Sequence, residues 1–172
     1  VLFAQNDYDL YLTQGNLTAK HRLWQMEFQT YAAAGRLSEI IGTKAIEYDR
    51  GQRRKGMVFG DQNAIAEMLK DPELAQQLEA YSAGVNTYIA SLNPADLPVE
   101  YKLLNYAPEA WAPEKSALLL MYMTDMLAGA DDDLENTNFV SLFGREAFDL
   151  LFPDFVADQD PVIPQERNWS DV

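Results

Sequence analysis

The chain has 172 residues, a formal net charge of −14, 48% hydrophobic and 12% aromatic residues, and no cysteine. That length and apolar content suit one globular domain with a real core, and the lack of cysteine excludes disulfides, thiolate zinc sites and cysteine nucleophiles. The acidic excess lies beyond residue 70, so phosphate contacts to nucleic acid are not expected, and no apolar run approaches the ~20 residues that span a bilayer.

In chain order, Val1 to Ala4 reads as an extended segment without the basic start of a signal peptide. Asn6 or Asp7 is placed to cap a short helix reaching Gln14, after which Gly15 is expected to bend the chain into a long helix. That helix anchors the whole reading. Leu17, Trp24, Phe28 and Tyr31 recur at helical spacing, Ala19, Leu23 and Met26 line an adjoining face, and Gly35 stops it. Arg22 sits among these apolar residues and reads as a structural tie to solvent, a carboxylate or a carbonyl.

Residues 43–60 read as mixed, with a turn near Ala45 and Ile46. Arg50, Arg53, Arg54 and Lys55 form the one basic cluster there, expected to pair with the chain's own carboxylates. A helix over residues 61–70 is followed by Asp71 and Pro72, an N-cap and a proline at the first helical position. The next helix is the most regular, with Leu74, Leu78, Tyr81, Val85, Tyr88 and Leu92 on one stripe. Gly84 within it implies close approach by another backbone. Residues 97–114 read as a stiff, proline-rich connector with aromatic anchors. Pro113 then starts a helix whose Ala117 to Met123 is apolar on every side and therefore expected to be interior. Further helices follow over residues 134–142 and 145–151. The fold class is mainly α: a multi-helix domain over residues 1–152, then a proline-rich extended tail over residues 153–172.

Four stretches carry a resemblance. AKHRLWQMEFQTYAAAGRLSEIIG from Ala19, AYSAGVNTYI from Ala80, the LPVEY and PEAWAPE connectors, and Glu135 with Asn138 occur in order. Together they resemble the α-chain region of the penicillin acylase family, N-terminal-nucleophile amidohydrolases cut from one precursor into α and β chains. Lys20 and His21 depart from the family's Gln-Asp. The resemblance implies a serine hydroxyl at the β-chain N-terminus as nucleophile, with its own α-amino group as base. No catalytic residue is expected in this chain. Val1 has no nucleophilic atom, and the lone His21 reads as a surface or capping side chain.

The resemblance also implies a calcium held between the chains, with Glu135 as this chain's ligand and the remaining ligands on the β chain. On residues alone, the acidic cluster from Asp131 to Asn138 offers hard oxygen donors but is no EF-hand, and an acidic helix start stabilised by the helix dipole is the better explanation. Met126, Leu127 and Gly129 are the candidates for one wall of the acyl pocket, although Asp125 stands where the family favours an apolar residue. The implied partners are the β chain and a small-molecule amide, with a penicillin, cephalosporin or acyl-homoserine-lactone acyl group, in a periplasmic or secreted setting. The other class of reading is a stand-alone helical binding or scaffolding module. A reading frame that continues into a spacer and a serine would separate the two. In isolation the chain is expected to expose its β-facing surface and self-associate.

Overall fold

A computed structural model describes residues 1–128 and 132–153; they are helical, with no strand among them. They fall into two compact units, Val1–Ala128 and a second unit that begins at Gly129. The proposed tail beyond Pro153 and the position of Gly129 lie outside the described residues.

Helix α1, Asp7–Ala34, is the spine of the first unit. Asn6 caps it by accepting from the Asp9 amide at 2.9 Å. At its end Gly35 adopts φ 64, and the amides of Gly35 and Arg36 close onto the carbonyls of Ala32 and Tyr31, a Schellman ending that needs a left-handed residue. The expected bend at Gly15 is absent. The helix runs through Gly15 because its bare α-carbon lets helix α5 (Pro72–Ser91) approach: a Cβ there would run into the carbonyl of Tyr81. Gly84 makes the reciprocal approach, where a Cβ would strike the carbonyl of Leu12. The close contact expected at Gly84 is therefore present, and Gly15 is its other half. The break in α1 lies at Arg22 instead (φ −143, ψ 21), where neither proline nor glycine accounts for it.

The buried stripe of α1 is Gly15, Ala19, Leu23, Met26, Thr30 and Ala33, a helical 4-4-3-4-3 spacing. Leu17 lies off it and is exposed, whereas Trp24 and Phe28 stack at 4.7 Å along its edge. Ala19, Leu23 and Met26 pack with Val85, Tyr101 and Trp111 in the main core.

Between α1 and α5 the chain is more helical than its sequence implies. Helix α2 (Ser38–Ile41), a 3-10 turn (Gly42–Ala45), α3 (Ile46–Lys55) and α4 (Met57–Met68) follow in succession. The mixed stretch is thus helix over its basic residues, and the helix expected from residue 61 begins four residues earlier. Asp49 of α3 stands in for a missing cap on α2, accepting from the amides of Leu37 and Ser38 at 2.9 and 2.8 Å. Burial works against its charge, but the hydrogen bonds from Ser38 and Leu37 outweigh it and hold its pKa below the ordinary value.

Asp71 caps α5 as expected, accepting from Glu73 and Leu74. The connector contains a short helix, α6 (Val99–Leu104), ended by Asn105 at φ 53. Helix α7, Pro113–Leu127, is not interior on all sides: Ala117 and Leu118 are buried while Leu120 and Met123 face outward. In the second unit, α8 (Asp133–Phe143) and α9 (Arg145–Leu151) meet at Gly144. Phe139, Phe143, Phe148 and Phe152 cluster between them, but none of its described residues is buried.

Candidate functional site

The polar residues inside the recurring motifs converge on the connector. Asn86 of α5 clamps Trp111 from both sides: its Oδ1 accepts from the Trp111 amide at 2.7 Å and its Nδ2 donates to the Trp111 carbonyl at 2.8 Å. Glu27 of α1 is 2% exposed and accepts from the Glu109 amide at 2.6 Å. The Glu109 carboxylate receives Arg36 at 2.8 Å and lies 3.1 Å from the Lys115 ammonium, which is also 3.9 Å from Glu27. Arg36 further binds Glu39 at 2.7 Å and lies over the Tyr31 ring. Arg22 is exposed, so of the outlets expected for its guanidinium the one available is solvent; the tie to carboxylates in this region is made by Arg36.

Two carboxylates in this network are driven in opposite directions. Desolvation raises the Glu27 pKa, against the Tyr101 hydroxyl, the Glu109 amide and Lys115. Glu109 is pulled down to about 2, chiefly by Arg36. A depressed pKa stabilises the fold above the unfolded value, and that stability is lost as pH falls through about 2. Glu109→Gln is therefore expected to cost about 1 kcal/mol at pH 7, allowing for solvent screening, and progressively less below pH ~4.5. Denaturant titrations of both proteins across this range check it.

The last turn of α7 carries Met126 and Leu127, 58% and 74% exposed, so neither is a core residue of this unit. Asp125 beside them pairs with Lys55 of α3 at 2.7 Å. In the basic cluster, Arg50 pairs with Glu47 at 2.7 Å and Arg53 donates to the Gly35 carbonyl at 2.8 Å, so three of its four members meet partners within the chain. Glu135 lies exposed in the first turn of α8 with Asp133, one turn before Asn138. Among the described residues, no group of three or more His, Cys, Asp or Glu is placed to hold a metal ion. His21 is exposed near the break in α1.

Two features had no expectation attached. A groove of about 350 Å³ is lined by Tyr11, Gln14, Leu78, Tyr81, Trp111 and Ser116, among others. Asp61 of α4 is 4% exposed, its Oδ1 has no hydrogen-bond partner, and burial with the nearby Glu114 raises its pKa to about 6. Glycine before Asp61 and alanine three residues after it were the available signal of a tightly packed face.

The first unit is thus a helical body whose motif polar residues hold its own connector. The penicillin amidase family model matches residues 1–163, and the chain belongs to that family. Penicillin acylase 2 proenzyme of Pseudomonas sp. (strain SE83) is 38% identical over 130 residues, covering 74% of this chain and 16% of that protein. Acyl-homoserine lactone acylase QuiP of Pseudomonas syringae pv. tomato is 28% identical over 161 residues, 93% of this chain and 19% of its own length. The chain thus spans less than a fifth of these relatives. A thermostable penicillin G acylase from Alcaligenes faecalis shares the fold, with a TM-score of 0.72 at 22% identity, covering 96% of this chain and 90% of that chain. Among the described residues, no helix is long and apolar enough to cross a membrane.

Proposed function

We propose that this chain is the α-chain portion of a two-chain amide hydrolase that removes the acyl group of a β-lactam or acyl-homoserine-lactone type substrate. The observation that carries this reading is the family match over residues 1–163 in a chain spanning only 16% to 19% of the relatives' length. The nucleophile is then an N-terminal serine on a β chain. Its hydroxyl adds to the amide carbonyl while the α-amino group takes its proton; the amine leaves with that proton, and water cleaves the acyl ester.

The role of this chain is to shape and support. Met126 and Leu127 offer exposed apolar surface at the end of α7 for the acyl group, with Gly129 two residues further along the sequence. Glu135 supplies one carboxylate to a calcium shared with the β chain; the ion would tie the chains together and enters no chemical step. The setting is periplasmic or secreted.

The test uses the full precursor, allowed to process itself, beside this chain alone. Chromogenic phenylacetyl amides and acyl-homoserine lactones are the substrates. Turnover is expected from the processed precursor and absent from the isolated chain. Turnover by the isolated chain overturns the reading.

A further inference from the structure

The body of α7 is held by apolar contacts only as far as Tyr122. Ala117 and Leu118 are buried, and Tyr122 packs against both the Tyr31–Ala32–Leu37–Ala45 cluster and the Ala33–Met57–Leu118 cluster. Beyond it Met123, Met126 and Leu127 are all exposed. Among the described residues, the one hydrogen bond or ion pair reaching this last turn from another element is Lys55 Nζ to Asp125 Oδ2, at 2.7 Å.

This contact is part of a matched pair of helix faces. On α3, Tyr48, Gln52 and Lys55 are spaced four and three residues apart, hence on one face; on α7, Tyr122 and Asp125 are three apart. Tyr122, Gln52 and Asp125 all bear on the ionisation of the Tyr48 hydroxyl. Burial, then Tyr122, pushes the Tyr48 pKa up to about 12, so the phenol stays protonated and able to donate. Lys55 also ends α3, where Gly56 turns at φ 71 into α4, so its backbone is fixed on both sides. A lysine ammonium beside the C-terminal turn of α7 also suits the negative end of that helix.

We propose that Lys55 is a positioning residue for the acyl group: by holding Asp125 it fixes the last turn of α7 and with it the Met126 and Leu127 side chains. The proposal rests on the reading given under Proposed function. It also accounts for an acidic residue at position 125, which the family resemblance does not. An exposed ion pair adds little to global stability, so its loss leaves the fold intact and frees one helical turn to fray. A wall displaced by about an ångström changes acyl binding.

The test uses the processed full precursor with arylacetyl and short aliphatic chromogenic amides. Lys55→Met and Asp125→Asn are each expected to raise KM for the preferred acyl group about tenfold, leave kcat within about twofold, and flatten the preference between acyl groups. Lys55→Arg retains the wild-type values, and the swap Lys55→Asp with Asp125→Lys restores part of the loss. Melting temperatures verify that each variant is folded. Unchanged KM and acyl preference in folded Lys55→Met, with an active wild type, overturn the positioning role and leave the hydrolase reading standing. A processed wild-type precursor that hydrolyses neither these amides nor acyl-homoserine lactones overturns both.

Discussion

Replacing Gly84 with alanine is expected to lower the unfolding free energy by about 3 kcal/mol. In an isolated helix the same change would help by up to about 1 kcal/mol, because glycine is the freer residue when unfolded. Here the added methyl would occupy the space of the Leu12 carbonyl and come within 2.9 Å of the Asn16 amide nitrogen. Both are backbone atoms of α1, so no rotamer change relieves the clash; the two longest helices must move apart. Separation would also stretch the bond from Asn16 Nδ2 to the Gly84 carbonyl, 3.3 Å in this structure. Gly51 of α3 is the control, since a Cβ there meets nothing within 4 Å. Gly51→Ala is expected to gain up to about 1 kcal/mol. Urea titrations of the two variants should move the midpoint in opposite directions; a harmless Gly84→Ala would contradict the backbone contact.

Asp61→Asn is expected to stabilise the protein at neutral pH by about 2 kcal/mol. The carboxyl group is buried on α4 without a partner for Oδ1, and the charged group facing it from α7 is Glu114, of the same sign. Its pKa is raised from 3.8 to about 6, so the folded state favours the protonated acid. The stabilising contribution of that proton is complete below pH 3.8 and is lost as pH rises through about 6. Asparagine mimics the protonated form at every pH. The gain should therefore be near zero below pH ~4, grow up to pH ~6 and stay level above it. Paired denaturation curves at pH 4 and pH 7.5 measure this, and an equal effect at both values would show that ionisation of Asp61 is not the cause.

The elements legible in the sequence are those with local punctuation. Asp71 and Pro72 mark the start of α5, Pro113 that of α7, and Arg145 to Leu151 is a helix as expected. Gly15 misled because glycine has two meanings in a helix, a break or a place where another backbone comes close, and only the partner Gly84 decides between them. The helix α3 was hidden because its residues are mostly polar, with no apolar stripe to announce it. Leu17 fell off the core because the buried stripe runs through small residues, Gly15 and Ala19, and not through the larger side chains beside them.

The connector clamp is only partly legible in the sequence. Glu27 ends the stretch LWQME, Asn86 sits within GVN, and Glu109 stands two residues before a tryptophan; a polar residue fixed in a largely apolar motif is a candidate buried hydrogen-bonding group. Their pairing was not legible, since Glu27 and Glu109 lie 82 residues apart and Arg36 and Glu109 lie 73 apart. Met126, Leu127 and Glu135 came from the family resemblance, and no periodicity singles them out.

The reciprocal glycine contact also orders the assembly of the chain in time. Gly15 and Gly84 cannot meet until the intervening segment has left the ribosome, and such long-range closure is slow compared with forming a local helix. The helices α2 to α4 lie within that loop and shorten the distance to be closed. Trp111 and Glu109 appear later still, so the α1/α5 pair is the platform on which the connector subsequently docks. A newly made chain halted before residue 109 would hold Glu27 and Asn86 without the partners that satisfy them, and would expose both to water until synthesis resumed.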